Sequence, residues 1–290
     1  MIEIYKKSEF NRLQQETGFN FSKALGQNFL TDRNIIEKIV DGAGIDESDV
    51  VIEIGAGAGA LTSFLSARAK KVYAVEIDSN VIPLLERVTE GLGNVEIINQ
   101  DFLKYDFDNL SENYKIIGNL PYYITTPIIA GILEKEKKYT PKNMAFMMQK
   151  EVAERLLSLP GKKTYGAISV LVQYYCDVAL ITEVSKEVFI PKPKVDSAVL
   201  LFTPKNLSNY DENVSKYMFK IVKSGFCMRR KTLRNSLKSL GVREDILLKA
   251  MEIAGIDPIQ RAETLSVDDY YSLAKNILGL TEKNKDENNR

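Results

Sequence analysis

The chain has 290 residues, 44% of them apolar, and its 39 basic residues balance its 39 acidic ones. This length suits one large domain plus a smaller one with substantial cores, and the balance means that any basic surface must be local. There is no histidine, and the two cysteines, Cys176 and Cys227, stand far apart; His-based nucleophile activation, His general bases, His-ligated metals and a cysteine metal cluster are excluded, and a reducing, cytoplasmic setting is expected.

The start, Met1 to Lys7, carries no apolar signal core. No later run approaches the roughly 20 apolar residues of a membrane span, so no membrane partner is expected. Residues up to about Ser22 are polar and mixed, a helical or loose arm. In residues 23–30, small and amide side chains (Gly26, Gln27, Asn28) bracket the apolar Leu25 and Leu30. This reads as a loop that lays backbone and an amide against something, although on its own the stretch reads first as a plain surface loop. A helix capped near Thr31 or Asp32 follows through Ile35, Ile36, Ile39 and Val40.

Val50 to Ile54 is a short apolar run ending in Gly55-Ala56-Gly57-Ala58-Gly59, and a helix begins at Ala60. Strand, glycine turn and helix open a nucleotide-binding βαβ unit, because glycine lets the backbone bend and lets a ligand approach without a Cβ in the way. The spacing G-x-G-x-G differs from the dinucleotide fingerprint. A second strand over residues 71–75 delivers Glu76, about 20 residues past the glycines, where a carboxylate can accept both hydroxyls of a ribose. Asp78 reads as the cap of the next helix. A third strand over 94–98 leads to Asp101, placed to accept from an adenine amine of the ligand, and to Phe102, which can pack beside the ring; a turn or cap role explains Asp101 as well.

A fourth strand, 114–117, delivers Asn119-Leu120-Pro121-Tyr122-Tyr123. Asn119 offers a side-chain oxygen and Leu120 a carbonyl to an amine, Pro121 stiffens the backbone, and Tyr122 offers a flat ring. An adenine amine is a poor nucleophile, and a site that methylates it must accept hydrogen bonds as positive charge develops. Four successive strands therefore each end in a candidate group, and ligands bind at the carboxyl ends of strands in open α/β sheets.

A helix through Ile128 and Leu133, a fifth strand at 144–148, helices starting at Gln149 and Ala167, and closing strands at 178–184 and 198–202 follow. Between the last two lies Phe189-Ile190-Pro191-Lys192-Pro193-Lys194, an extended loop whose Phe189, Lys192 and Lys194 suit a flipped base and its phosphates. The domain boundary is set in the polar stretch from Asn206, giving domains at 1–205 and 206–280 and a disordered tail at 281–290. The second domain reads as helices only. Its Arg229, Arg230, Lys231 and Arg234 form the densest basic cluster, with no acid in the chain until Glu244, and an RNA phosphate contact is expected there.

In order, Gln27 to Leu30, Glu53 to Thr62, Glu76 to Asp78, Asn119 to Tyr122, Phe189 to Ser197 and Arg229 to Asn235 resemble the ribosomal RNA adenine dimethyltransferases, above all the small-subunit members. The resemblance covers nearly the whole chain. It implies a Rossmann-like methyltransferase domain of α/β class with a smaller all-helical domain, S-adenosylmethionine as donor, and dimethylation of N6 on two neighbouring adenosines near the 3′ end of small-subunit RNA. It also implies action on an immature 30S subunit, and a monomer is expected. Carried over, Gln27, Asn28, Leu30, Gly57 and Ile77 belong to the cofactor site, Gly55 lies at the cofactor's methionine end, and Glu76 holds the ribose. Asp101 with Phe102 reads the adenine, and Asn119 falls between cofactor and target. Ala56 stands where many members have proline, which alters turn stiffness and not chemistry. A large-subunit methyltransferase of the macrolide-resistance type and a non-catalytic assembly factor are the alternatives.

Overall fold

The computed structural model describes residues 2–22, 25–106, 110, 114–135 and 140–288. Lys23 and Ala24, part of the predicted loop, lie outside the described residues. Two compact units emerge, Met1–Ala153 with Asp177–Pro204, and Glu154–Cys176 with Lys205–Arg290.

The first unit opens with α1 (Lys7–Thr17), β1 (Phe29–Leu30) and α2 (Arg33–Gly42), and Asp32 caps α2 by accepting from the Ile35 N–H at 3.1 Å. Then come β2 (Val50–Ile54), α3 (Ala60–Ser66), β3 (Lys71–Glu76), α4 (Ile82–Thr89), β4 (Val95–Asn99), β5 (Tyr114–Asn119), α5 (Thr125–Glu134) and β6 (Met144–Gln149). After α6 (Lys150–Leu157) and α7 (Ala167–Tyr175), the chain returns as β7 (Cys176–Val184), β8 (Phe189–Ile190) and β9 (Ser197–Pro204).

Seven strands form one sheet in the order β4-β3-β2-β5-β6-β9-β7. The pairs among β4, β3, β2, β5 and β6 are parallel, and β9 runs antiparallel to β6. The central parallel strands β2, β5 and β6 are buried almost throughout because both faces are covered. The chain moves outward from β2 to β3 on one side and returns to β5 on the other, so the topological switch falls at the carboxyl ends of β2 and β5. Gly118 makes that pairing possible: a Cβ there would lie 2.9 Å from the Ile54 carbonyl. The methionine run of β6 is core, with Met144, Met147 and Met148 buried.

The arm is an ordered helix with its own core. Ile4, Phe10, Leu13 and Phe19 bury against Phe29 and against Val81, Leu84 and Val88 of the α4 region. Sequence polarity hid this, because only one narrow stripe of α1 is apolar. The predicted loop also gains a short strand, since β1 pairs antiparallel with β8, Phe29 opposite Ile190 and Leu30 opposite Phe189. Asp78 does not cap α4. It closes the turn before it, accepting from the Asn80 N–H at 3.0 Å.

The second unit packs α7, α8 (Glu212–Cys227), α9 (Leu233–Ser236), α10 (Glu244–Ile253) and α11 (Val267–Asn288) around Tyr165, Met218, Leu247, Met251, Tyr270 and Leu273. Two of its buried phenols are paired, as burial favours: Tyr174 donates to Ser215 and Tyr270 to the Ala262 carbonyl, both at 2.7 Å. Two predicted boundaries move. Residues 154–176, expected in the first domain, belong to this unit because Val170 and Tyr174 bury their apolar faces in its core. The expected tail is helical to Asn288, with Thr281 and Asn284 donating back to the Ile277 and Leu280 carbonyls.

Candidate active site

At the carboxyl edge of the sheet lies an open cleft. Gln27, Asn28, Leu30, Gly55, Gly57, Glu76, Ile77, Asp101, Phe102, Asn119, Leu120, Pro121 and Tyr122 all line it. The expected cofactor and catalytic residues are therefore brought together by four strand ends and one strap.

Each wall follows from local structure. The glycine turn after β2 carries Gly57 at φ +54°, and a Cβ there would lie 2.7 Å from the Phe29 ring, so glycine is required on both counts. The Gly57 N–H donates to Glu76 Oε2 at 2.8 Å, and the Asp78 N–H donates to Glu76 Oε1 at 2.9 Å. Glu76 is thus less free than the sequence implied, because each oxygen already holds a backbone donor. Burial pushes this carboxylate above its ordinary range. Ile77 beside it is 49% exposed, an apolar surface suited to a purine face. Asp101 takes the cap role, one oxygen accepting from the Leu103 N–H at 3.0 Å at the turn of residues 102–104, and the residue also lines the cleft. Phe102 is buried and stacks on Tyr105.

The strap of residues 25–30 is tied at three points. The Ser22 N–H donates to Gln27 Oε1 at 2.8 Å, Gln27 Nε2 donates to Asp78 Oδ2 at 2.6 Å, and Asn28 Nδ2 donates to the Gly26 carbonyl. Its decisive contact is with Asn119, whose Nδ2 donates to the Asn28 carbonyl at 2.9 Å. With the amide nitrogen committed, Oδ1 is left as the acceptor. The Asn119 to Tyr122 turn is pinned by the Leu120 N–H on the Met147 carbonyl at 3.0 Å and by Thr125 Oγ1 on the Pro121 carbonyl at 3.0 Å. The Tyr122 hydroxyl meets Ser197 Oγ at 2.7 Å, and burial raises this phenol, so it stays neutral.

Sequence reasoning missed Glu53. It is 1% exposed, lines the cleft and accepts from Thr62 Oγ1 at 2.6 Å; burial, with the Glu76 charge adding, raises it to about 8. One charged residue inside the apolar run Val50 to Ile54 was the available signal. Tyr123, 56% exposed at the same cleft, was also passed over.

The expected RNA-binding residues fare differently. Phe189 is 3% exposed and belongs to the sheet core, where β8 pairing on β1 draws it inward; it cannot stack on a base. Lys192 is exposed but ion-paired with Glu187, whereas Lys194 is exposed and forms no such pair among the described residues. In the second unit Arg229 pairs with Glu263 at 3.0 Å and donates to the Lys163 and Tyr165 carbonyls, and Arg234 Nε donates to Glu244 at 2.8 Å. The acids that neutralise these two arginines come from later turns of the chain. Arg230 and Lys231 remain exposed and without an ion pair among the described residues.

A family model for ribosomal RNA adenine dimethylase matches residues 18–278. A protein named ribosomal RNA small subunit methyltransferase A from Clostridium botulinum is 46% identical over 265 residues, 90% of this chain and 96% of the relative. Its namesake from Alkaliphilus metalliredigens is 44% identical over 290 residues, covering 96% and 99%. Among solved structures, a dimethyladenosine transferase from Plasmodium falciparum superposes with a TM-score of 0.75 at 28% identity, over 88% of this chain and 98% of that one. The 23S rRNA methyltransferase ErmE gives 0.67 at 25% identity, over 86% and 99%.

Proposed function

The chain belongs to the ribosomal RNA adenine dimethylase family, and from that premise we propose the reaction its cleft performs. It transfers methyl groups from S-adenosylmethionine to N6 of two neighbouring adenosines in the hairpin near the 3′ end of small-subunit (16S) ribosomal RNA. The product is N6,N6-dimethyladenosine, formed on an immature 30S subunit by a cytoplasmic monomer. Among the described residues no helix is long and apolar enough to cross a membrane. The observation that carries the reading is the fixed amide of Asn119, held by Asn28 with its acceptor oxygen left over.

The residues fit the cofactor. The Glu76 carboxylate at the cleft suits the ribose, Ile77 and Asp101 suit the adenine, and the Cβ-free Gly57 leaves room beside Phe29. When bound, the cofactor supplies a methyl on a sulfonium, an electrophile strong enough to need no covalent enzyme intermediate. The chain's own work is alignment and electrostatics. Asn119 Oδ1 and the Leu120 carbonyl accept from the target amine as it becomes cationic, and the Tyr122 ring stacks on the base. No strong base is required, because the proton leaves after transfer.

Mass spectrometry of adenosines in small-subunit particles incubated with the protein and cofactor tests this. Dimethyladenosine at two adjacent positions is expected, and methylation confined to large-subunit RNA would overturn the reading. The likeness to ErmE favours that second possibility, but at 25% identity it stands well below the small-subunit relatives.

A further inference from the structure

Stacking on a base uses the face of an aromatic ring and needs no hydroxyl. Tyr122 nevertheless carries one, turned onto Ser197 Oγ at 2.7 Å. Ser197 is fully buried at the start of β9, opposite Gln149 in the ladder with β6. A partly buried phenol gains from a partner, so the ring axis has one favoured direction, the one that reaches Ser197. The backbone beneath the ring is held separately, through Leu120 on Met147 of β6. Ring tip and ring base are thus anchored to two adjacent strands.

The approach to Ser197 is fixed as well. Asp196 accepts from the Lys186 N–H on Oδ1 and from the Lys150 N–H on its carbonyl, both at 3.0 Å. Upstream, the same segment begins at β8, which pairs with the strap that holds Asn119. The acceptor and the stacking ring are therefore referred to one continuous piece of chain, residues 189–197.

We propose that Ser197 is a positioning residue for methyl transfer, setting the Tyr122 ring at the angle that presents the target amine to Asn119. This rests on reading the cleft as an adenine methylation site. Single-turnover rates and cofactor affinity are compared for Ser197→Ala, Tyr122→Phe, the double variant and Ser197→Thr. Each single variant lowers the rate roughly 10-fold, the double is no slower than either, Ser197→Thr recovers most of the rate, and cofactor affinity is unchanged. RNA carrying 2-aminopurine at the target position shows a smaller stacked, quenched fraction with Ser197→Ala. Losses that multiply in the double variant, or a Tyr122→Phe enzyme at full rate, overturn the proposal. Should Ser197→Ala fail to fold, Tyr122→Phe removes the same bond without touching β9 and decides alone. A wild-type chain that methylates no RNA adenosine overturns the functional reading, and this proposal with it.

Discussion

The Gly57 N–H donates to Glu76 Oε2 at 2.8 Å, so the turn after β2 and the carboxylate ending β3 hold each other before any ligand arrives. Two features that look independent in sequence are one preorganised unit.

Glu76→Ala therefore removes both the proposed ribose acceptor and the anchor of the turn. Cofactor binding should weaken by about 1.5–3 kcal/mol, the scale of a charged hydrogen bond. Isothermal calorimetry checks this, and equal affinity would remove Glu76 from the cofactor's contacts.

Gly57→Ala places a Cβ 2.7 Å from Phe29 at a φ of +54°. Both the clash and the left-handed backbone oppose it, at roughly 1–3 kcal/mol of stability. A lower melting temperature together with weaker cofactor binding is expected, measured by thermal denaturation with and without cofactor.

Asn119→Ala should slow turnover by about 100-fold or more, the scale of removing one preorganised polar group from developing charge. Rapid-quench measurement of methyl transfer tests it, and unchanged turnover would take Asn119 out of the chemistry.

Glu53 gives a pH dependence. Its folded value of about 8 lies above the ordinary carboxylate range because burial disfavours the anion. The folded state then binds the proton that the unfolded chain has released, so stability falls as pH rises from the ordinary range through about 8. Glu53→Gln should flatten that part of the melting curve against pH and raise the melting temperature above it by about 3 °C or more. An unchanged pH profile would show that Glu53 ionises freely.

Arg230→Ala and Lys231→Ala should weaken RNA binding more than Arg234→Ala, because Arg234 is already paired with Glu244. Filter-binding titrations over a salt series provide the check: a substitution that frees one RNA phosphate from its cation makes the log–log slope shallower by about 1.

By itself, the sequence determined what depends on near neighbours. A strand, a glycine turn and a helix at residues 50–65, and polar groups at 76, 101 and 119 just past apolar runs, were legible because strands are short and their ends are marked by residue type. Tertiary structure alone decided what depends on partners distant in the chain. Phe189 looked like an exposed aromatic among lysines until β1 paired with it and buried it. Arg229 and Arg234 looked free until Glu263 and Glu244 folded onto them. Asn28, 91 positions from Asn119, engages the nitrogen end of that amide, and Ser197, 75 positions from Tyr122, meets the phenol hydroxyl. A hydrogen bond or ion pair is set by a few ångströms of space, and separation along the chain carries no record of it.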